Sequence, residues 1–115
     1  MGNYFSQIEF ECPCCKEASM DPSFVDRLNM AREYAGIPFR LTSAYRCTVH
    51  NALVKGRSNS RHLTGEAVDI ACTDPRDRAI ILGALGLAGF VSVAIAPTFI
   101  HVDTSTEQWC GIYTT

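Results

Sequence analysis

Three side chains that can bind a metal, His62, Asp69 and His101, fall where strand alternation and a turn would bring them together. Asp69 lies between a valine and an isoleucine in a short strand pattern, so its side chain points to the face opposite theirs. His62 precedes this strand in a turn region, and Gly65 allows the backbone to swing so that His62 returns beside Asp69. We therefore expect these three residues to form one cluster.

The second strand pattern, from Phe99 to Asp103, supplies the third of these side chains. Ile100 and Val102 share one face, whereas His101 and Asp103 face the opposite way. Both strands thus offer ligand-type side chains from one face of a sheet.

Two imidazoles and one carboxylate form a common catalytic zinc site, because three protein ligands leave a fourth position for water. Bound zinc lowers the pKa of that water from about 15.7 to about 7 and polarises a carbonyl. The set therefore favours metal-assisted hydrolysis. Taken singly, each residue is more often a surface histidine or a capping aspartate than a ligand, and the joint placement alone leaves both interpretations open.

The elements that must position these residues follow an α+β order. Apolar spacing and turn residues predict a helix that begins after Asp21 and ends before Gly36, and a second helix that Asp74 opens. The polar stretch 43–64 predicts a long functional loop. The predicted elements are helices at about 22–35 and 75–87 and strands at 39–42, 67–72, 90–95, 99–103 and 110–113.

Length and charge limit the function. The 115 residues suit one domain, 1–115, and ten basic against twelve acidic residues give a net charge of -2. This balance lacks the basic excess of proteins that bind nucleic acid or anionic membranes. The most apolar stretch, 79–93, is too short to span a bilayer, so we expect no membrane insertion, and we expect a monomer.

Three motifs resemble one known family. The run from Ser60 to Asp69 reads SRHLTGEAVD and resembles the S-x-H-x-x-G-x-A-x-D motif of the zinc D-alanyl-D-alanine carboxypeptidase and endolysin family, the M15-like peptidases. FIHVD at 99–103 resembles its closing H-x-D motif, and SAYR at 43–46 resembles its S-x-Y-R segment. The resemblance implies the hedgehog/DD-peptidase fold, a small antiparallel central sheet with flanking helices.

The resemblance also implies roles for individual residues. His62, Asp69 and His101 match the zinc ligands, so the implied cofactor is Zn²⁺. Arg46 matches the arginine that binds the scissile carbonyl oxygen. Ser60 matches a serine near the metal that can hydrogen-bond substrate. Beyond the resemblance, Tyr45 and Trp109 are further candidates for substrate contacts. The local alternatives are a backbone role for Ser60, loop fixing for Tyr45 and a core position for Trp109.

The general base departs from the family pattern. Several relatives carry a glutamate three residues before the last histidine ligand, and this chain has Thr98 there. We expect Asp103 to take this role, since it shares a strand face with His101 and lies about 6.6 Å along the strand. The alternative is that Asp103 accepts a hydrogen bond from a ligand imidazole and fixes its tautomer. Glu66 and Glu107 are expected to be surface carboxylates.

The six cysteines leave three alternatives open. Cys12 and Cys15, with Cys47 and His50, have the spacings of a Cys₃His structural zinc site. The second alternative is a disulfide that joins Cys47 to one of the N-terminal cysteines, Cys12, Cys14 or Cys15, and the third is free thiols. Cys72 is expected to be a small buried apolar residue.

The implied activity is zinc-dependent hydrolysis of a peptide bond in peptidoglycan stem peptides, by a D,D-carboxypeptidase or an endolysin-type endopeptidase. The substrate partner is therefore a cell-wall peptide. No signal peptide is visible, so we expect synthesis in the cytoplasm and action at the cell wall after phage-mediated release or as a virion component. The rival hypothesis is a non-catalytic zinc-binding module of the same fold that binds cell-wall peptide.

Overall fold

The computed structural model describes residues 3–57 and 60–104 with their side chains and the backbone of 109–112. The elements, in chain order, are α1 (Gln7–Phe10), α2 (Pro22–Ala35), β1 (Arg40–Ser43), α3 (Thr48–Leu53), a 3-10 helix (Arg61–Thr64), β2 (Ala67–Ala71), α4 (Pro75–Leu87), β3 (Ser92–Ile95), β4 (Phe99–Asp103) and β5 (Trp109–Ile112).

Helices α2 and α4 begin at the residues that the sequence indicates. The Asp21 side chain accepts a hydrogen bond from the Phe24 backbone N–H at 3.0 Å, and the Asp74 side chain accepts one from Arg76 N–H at 2.8 Å. Each cap is followed by a proline, whose missing N–H costs nothing at the first helical position. Both predicted helices are confirmed.

The strands form one sheet in the order β1-β2-β4-β3-β5. Strands β1, β2, β4 and β3 are antiparallel neighbours, and β5 pairs with β3 in parallel. The α+β class, with an antiparallel central sheet and flanking helices, is therefore confirmed, and the parallel β5 is an addition at one edge. No helix within the described ranges is long and apolar enough to cross a bilayer.

The core lies on one face of this sheet. Val68 and Ile70 of β2 and Ile100 and Val102 of β4 are fully buried there. They belong to one apolar cluster with residues of the two long helices, namely Phe24, Leu28, Ile81 and Leu85. Fully burying an aliphatic or phenylalanine side chain of this kind stabilises the fold by about 1.5 to 3 kcal/mol. The core therefore fixes the orientation of both strands.

The stretch 43–64 is not the loop that the sequence predicts, because it contains α3 and the 3-10 helix. Neither element buries an apolar stripe: Val49 and Leu53 of α3 are 61% and 72% exposed. Local capping holds the short helices instead, since Cys47 Sγ accepts from the His50 N–H at 3.4 Å. A pattern search that relies on apolar periodicity misses helices of this kind.

Candidate metal centre

Strand register places Asp69 and His101 side by side. The two residues are direct partners in the β2–β4 pairing, on the sheet face opposite the core. Asp69 is 6% and His101 5% exposed, so both polar side chains are buried. The alternation predicted for both strands is confirmed.

His62 reaches the same place through the 3-10 helix. The Ser60 hydroxyl accepts from the His62 N–H at 3.2 Å and caps the start of that helix. Gly65 ends it with a φ of +72°, and a Cβ on Gly65 would overlap the backbone carbonyl of Ser19. Only glycine fits both conditions. The predicted turn at Gly65 therefore does bring His62, which is 2% exposed, back to β2.

One oxygen of Asp69 faces both histidines. Its Oδ1 lies 3.4 Å from His62 Nε2 and 2.9 Å from His101 Nδ1. One ligand atom from each of the three residues lies within 4.8 Å of the others. The three predicted ligands thus converge on one small volume.

Hydrogen bonds to the outer nitrogens select the histidine tautomers. His62 Nδ1 lies 2.6 Å from the Ala44 carbonyl, which can only accept, so Nδ1 carries the proton and Nε2, which faces Asp69, is the nitrogen that can bind a metal. His101 Nε2 lies 2.8 Å from Asp103 Oδ2 and donates to that carboxylate when Nδ1 binds a metal. The donor set therefore fits a divalent metal such as zinc.

Charge and hydrogen bonding shift the pKa of both strand residues. Burial opposes ionisation of Asp69, but hydrogen bonds from His101 and His62 outweigh it and lower the pKa of its carboxyl to about 2. Burial also disfavours the charged form of His101, but Asp103 and Asp69 together raise the pKa of its imidazole. Asp69 is therefore an anionic ligand at neutral pH, and a proton competes with a metal for His101.

Arg46 lies beside this cluster, with a side chain that is 15% exposed. Its Nη2 is 3.5 Å from Asp69 Oδ2, the oxygen that does not face the histidines. Its Nε donates to Ser43 Oγ at 3.1 Å and its Nη1 to Asn51 Oδ1 at 3.4 Å. Three side chains therefore hold the guanidinium in one orientation at the edge of the site.

The remaining residues predicted to contact substrate lie in different surroundings. Ser60 caps the 3-10 helix, which is the local role named for it above. Tyr45 is half-buried, and burial together with Glu17 and three cysteines raises the pKa of its phenol, so it neighbours the cysteines. The Trp109 side chain lies outside the described residues. The substrate contacts assigned to these residues stay predictions.

Asp103 contacts the site through His101, as the 2.8 Å hydrogen bond shows. Thr98 is exposed and lies just before β4, at the strand end opposite Asp103. The Glu66 carboxylate is engaged by the hydroxyls of Thr64 and Thr104 at 2.6 and 2.9 Å. Glu107 lies outside the described residues. The assignment of Asp103 as general base stays a prediction.

Two contributors to the site were missed from the sequence. Ala44 supplies a backbone carbonyl, which leaves no trace in residue type. Ser43 faces Asp69 because β1 contains an irregularity between Leu41 and Ser43. The only available signal for Ser43 was its place in the S-x-Y-R segment.

Comparison with known proteins agrees with this geometry. No curated protein matches the chain. A family model described as Peptidase M15 matches residues 3–103, which include all three metal-binding candidates and Arg46. The match supports a metallopeptidase and a metal-binding hydrolase in general. Because it covers most of the 115 residues, the chain belongs to the Peptidase M15 family.

Proposed function

We propose that this protein is a zinc-dependent peptidase that cleaves a bond involving a D-amino acid in peptidoglycan stem peptides. The observation that carries the proposal is the convergence of His62 Nε2, Asp69 Oδ1 and His101 Nδ1 beside an oriented arginine. The family match supports the metallopeptidase class, and the motifs at 43–46, 60–69 and 99–103 support the cell-wall substrate.

His62, Asp69 and His101 would hold the zinc. When bound, zinc supplies a Lewis acid that activates water and polarises the scissile carbonyl. The protein has to keep the three ligands oriented, and it does so with the Ala44 carbonyl on His62 and the Asp103 carboxylate on His101.

Arg46 binds the carbonyl oxygen of the substrate. Its guanidinium is held by hydrogen bonds to Ser43 and Asn51, so it needs little reorganisation when negative charge develops on that oxygen. Its contact with Asp69 keeps this positive charge next to the metal ligands. Substrate carbonyl oxygens would therefore bind between the metal and Arg46.

Of the two roles considered for Asp103, the geometry favours orientation of His101. The 2.8 Å hydrogen bond from His101 Nε2 fixes the tautomer that leaves Nδ1 available to a metal. A general base would also have to accept a proton from water during the reaction. Asp103 is therefore proposed as a positioning residue, with the base role as the competing outcome.

Asp103→Asn separates these two roles. Asparagine keeps an oxygen acceptor for His101 but loses the charge, so a positioning role predicts a 10- to 100-fold weaker zinc affinity (rough range) with hydrolysis restored at saturating zinc. A base role predicts full zinc content and lost hydrolysis, together with loss of the acidic limb of the pH–rate profile.

The proposed activity is tested by incubating purified peptidoglycan with the protein, with and without a chelator, and by following new amino and carboxyl termini. We expect new termini only in the presence of metal, and recovery of activity when zinc is returned. Mass analysis of the released peptides identifies the bond, either a terminal D-alanine or an internal link. Binding of peptidoglycan without new termini under any metal condition would favour the non-catalytic module.

The place of action is part of the same proposal. We propose that the protein is made in the cytoplasm and reaches the cell wall by phage-mediated release or as a virion component, where it works as a monomer. Fractionation of infected or lysing cells with an antibody against the protein checks this, since retention in intact cytoplasm throughout lysis would contradict it.

A further inference from the structure

A second cluster of metal-binding side chains lies where the N-terminal segment meets the chain after β1. The sulfur atoms of Cys12, Cys15 and Cys47 all lie within 4.8 Å of one another. Cys12 Sγ and Cys47 Sγ are 3.7 Å apart. Cys12 is fully buried, Cys47 half-buried and Cys15 exposed, so the cluster opens to solvent on one side.

The turn that carries Cys12 and Cys15 has a conformation suited to a bound ion. The Cys12 N–H donates to the Glu17 carbonyl at 2.7 Å, and the Lys16 N–H donates to the Cys12 carbonyl at 2.8 Å. Lys16 closes the turn with a φ of +64°, an uncommon conformation for lysine. The two sulfurs of this turn lie within 4.8 Å of each other and of Cys47 Sγ.

A backbone N–H group points at one of the sulfurs as well. The His50 N–H donates to Cys47 Sγ at 3.4 Å. Such donors stabilise thiolates, which are the form of cysteine that binds metals.

We infer that Cys12, Cys15 and Cys47 bind a structural zinc ion. This inference stands apart from the proposed peptidase activity. Structural zinc sites are closed by four ligands, and Cys₄ is one of their common sets. Cys14, between Cys12 and Cys15 in the chain, and His50, three residues after Cys47, are the candidates for the fourth ligand.

Neither candidate for the fourth ligand is among the side-chain atoms that converge at the cluster. His50 contacts the cluster through its backbone N–H, which donates to Cys47 Sγ at 3.4 Å. Variants of both residues therefore decide between them.

The position of this site suggests what it stabilises. Cys47 follows Arg46 directly, and the preceding residue Tyr45 donates its N–H to the Phe10 carbonyl at 3.3 Å. The Arg46 N–H donates to the His62 carbonyl at 3.0 Å. Zinc at the cysteine cluster would therefore fix the N-terminal segment to the backbone that carries Arg46.

The test counts zinc in the intact protein, purified with reductant and zinc and then freed of excess metal. We expect two zinc ions per chain in the parent protein, one in Cys47→Ser and one in a His62→Ala, His101→Ala double variant. Cys72→Ser, which changes a cysteine that packs against the core, should keep two. Hydrolysis is not measured, so this experiment can succeed even if the peptidase proposal fails.

Cobalt(II) in place of zinc gives a second measurement that needs no variant of the buried Cys12. A sulfur-to-cobalt charge-transfer band should appear in the parent protein and in the double histidine variant. The band should be lost in Cys15→Ser, which changes an exposed cysteine. Weaker metal retention at the cluster in Cys14→Ser or in His50→Gln would support the site and identify its fourth ligand.

Three outcomes would overturn the inference. Absence of the sulfur-to-cobalt band in the parent protein would exclude thiolate ligation. Two zinc ions retained by both Cys47→Ser and Cys15→Ser would place the second ion elsewhere. An intact mass lower by two hydrogens than that of the fully reduced chain, with a crosslinked peptide that contains Cys12 and Cys47, would show a disulfide instead.

Discussion

The centre at His62, Asp69 and His101 and the cysteine cluster hold comparable sets of ligands in different ways. At the centre, Asp69 and His101 are neighbours because two core strands pair in a fixed register, and each histidine has a second hydrogen-bond acceptor. At the cluster, Cys12 and Cys15 come from a single turn, and Cys47 comes from the far side of β1.

The fold holds the ligands of the centre in place before metal binds, whereas metal binding at the cluster would contribute to folding. The centre is supported by strand pairing and by the apolar core beneath it, so its geometry is expected without metal. The cluster has no such support and joins two segments with little regular structure, so we expect metal binding there to supply folding free energy.

The largest effect should come from Asp69→Asn, because Asp69 is the residue of the centre that contacts both histidines and Arg46. The change removes the charge that His62, His101 and Arg46 all face, so we expect zinc to be lost from the centre and hydrolysis to fall to the level seen with chelator. Unfolding of the metal-free protein should also cost about 3 kcal/mol less, because buried cations lose their partner.

Zinc analysis, peptide release and urea unfolding measure these three effects. Asp26→Asn is the matched control, since Asp26 is an exposed aspartate of α2. A metal-free Asp69→Asn protein as stable as the parent would show that the Asp69 carboxylate does not stabilise the metal-free fold.

The next largest effect should come from Arg46→Met, which lies between the two regions. We expect kcat to fall about 10²- to 10³-fold with zinc retained at the centre, because a preorganised cation is lost while the ligands stay. Steady-state kinetics on a peptide that the enzyme cleaves, together with zinc analysis, measure this. Arg40→Met, at an exposed position of β1, is the control.

A parent-like kcat in Arg46→Met would remove Arg46 from the reaction and leave it as a structural contact to Asp69. Zinc loss in the same variant would mean that Arg46 supports the ligands and not the substrate.

A smaller effect, which should differ between two positions, is expected from a pair of glycine variants. Gly65→Ala and Gly36→Ala both place alanine at positive φ, which costs about 1 to 2 kcal/mol. Only at Gly65 does the new Cβ meet a neighbour, the Ser19 backbone, which adds about 1 to 3 kcal/mol. Gly65→Ala should also weaken zinc binding at the centre, because His62 lies in the helix that Gly65 ends.

Thermal unfolding and zinc titration of both variants make the comparison. Equal zinc affinity in Gly65→Ala and Gly36→Ala would contradict the view that this turn positions His62.

The smallest effect is a pH dependence of the metal-free protein. The lowered pKa of Asp69 stabilises the fold above its ordinary value of 3.8, and this stability is lost as the pH falls towards about 2. The raised pKa of His101 stabilises the fold below its ordinary value of 6.5, and this stability is lost as the pH rises through the higher folded value. The two contributions are complete together between pH 3.8 and 6.5.

Melting temperatures of chelated protein across this range check the prediction. We expect His101→Gln to abolish the decline above pH 6.5, and His50→Gln, outside the centre, to leave it in place. An unchanged decline in His101→Gln would assign it to another group.

Strand alternation and capping residues made much of this molecule predictable. Asp69 and His101 could be placed on one face because Val68, Ile70, Ile100 and Val102 left no alternative for the core. The helix bounds followed from Asp21, Asp74 and the glycine after α2, which act through local backbone geometry.

The parts that were not predicted either lack an apolar pattern or depend on contacts distant in the chain. Helix α3 has no apolar stripe, so its pattern resembled a loop. The convergence of Cys12 with Cys47 depends on how the N-terminal segment packs beside β1, and spacing did not decide between zinc, a disulfide and free thiols. The orienting contact from Ala44 is a main-chain carbonyl and cannot be read from residue type.

The irregularity in β1 determines which residues the site contains. Leu41 pairs with Ile70 on the core side, and Ser43 pairs with Asp69, whose side chain is on the other side. Regular alternation would have put Leu41 and Ser43 on the same face, so the extra residue Thr42 switches the chain from one face to the other. This irregularity lets Leu41 pack on the core side while Ser43 lies beside Asp69 and accepts a hydrogen bond from Arg46, which makes the backbone path of this strand as much a determinant of the site as the identity of the ligands.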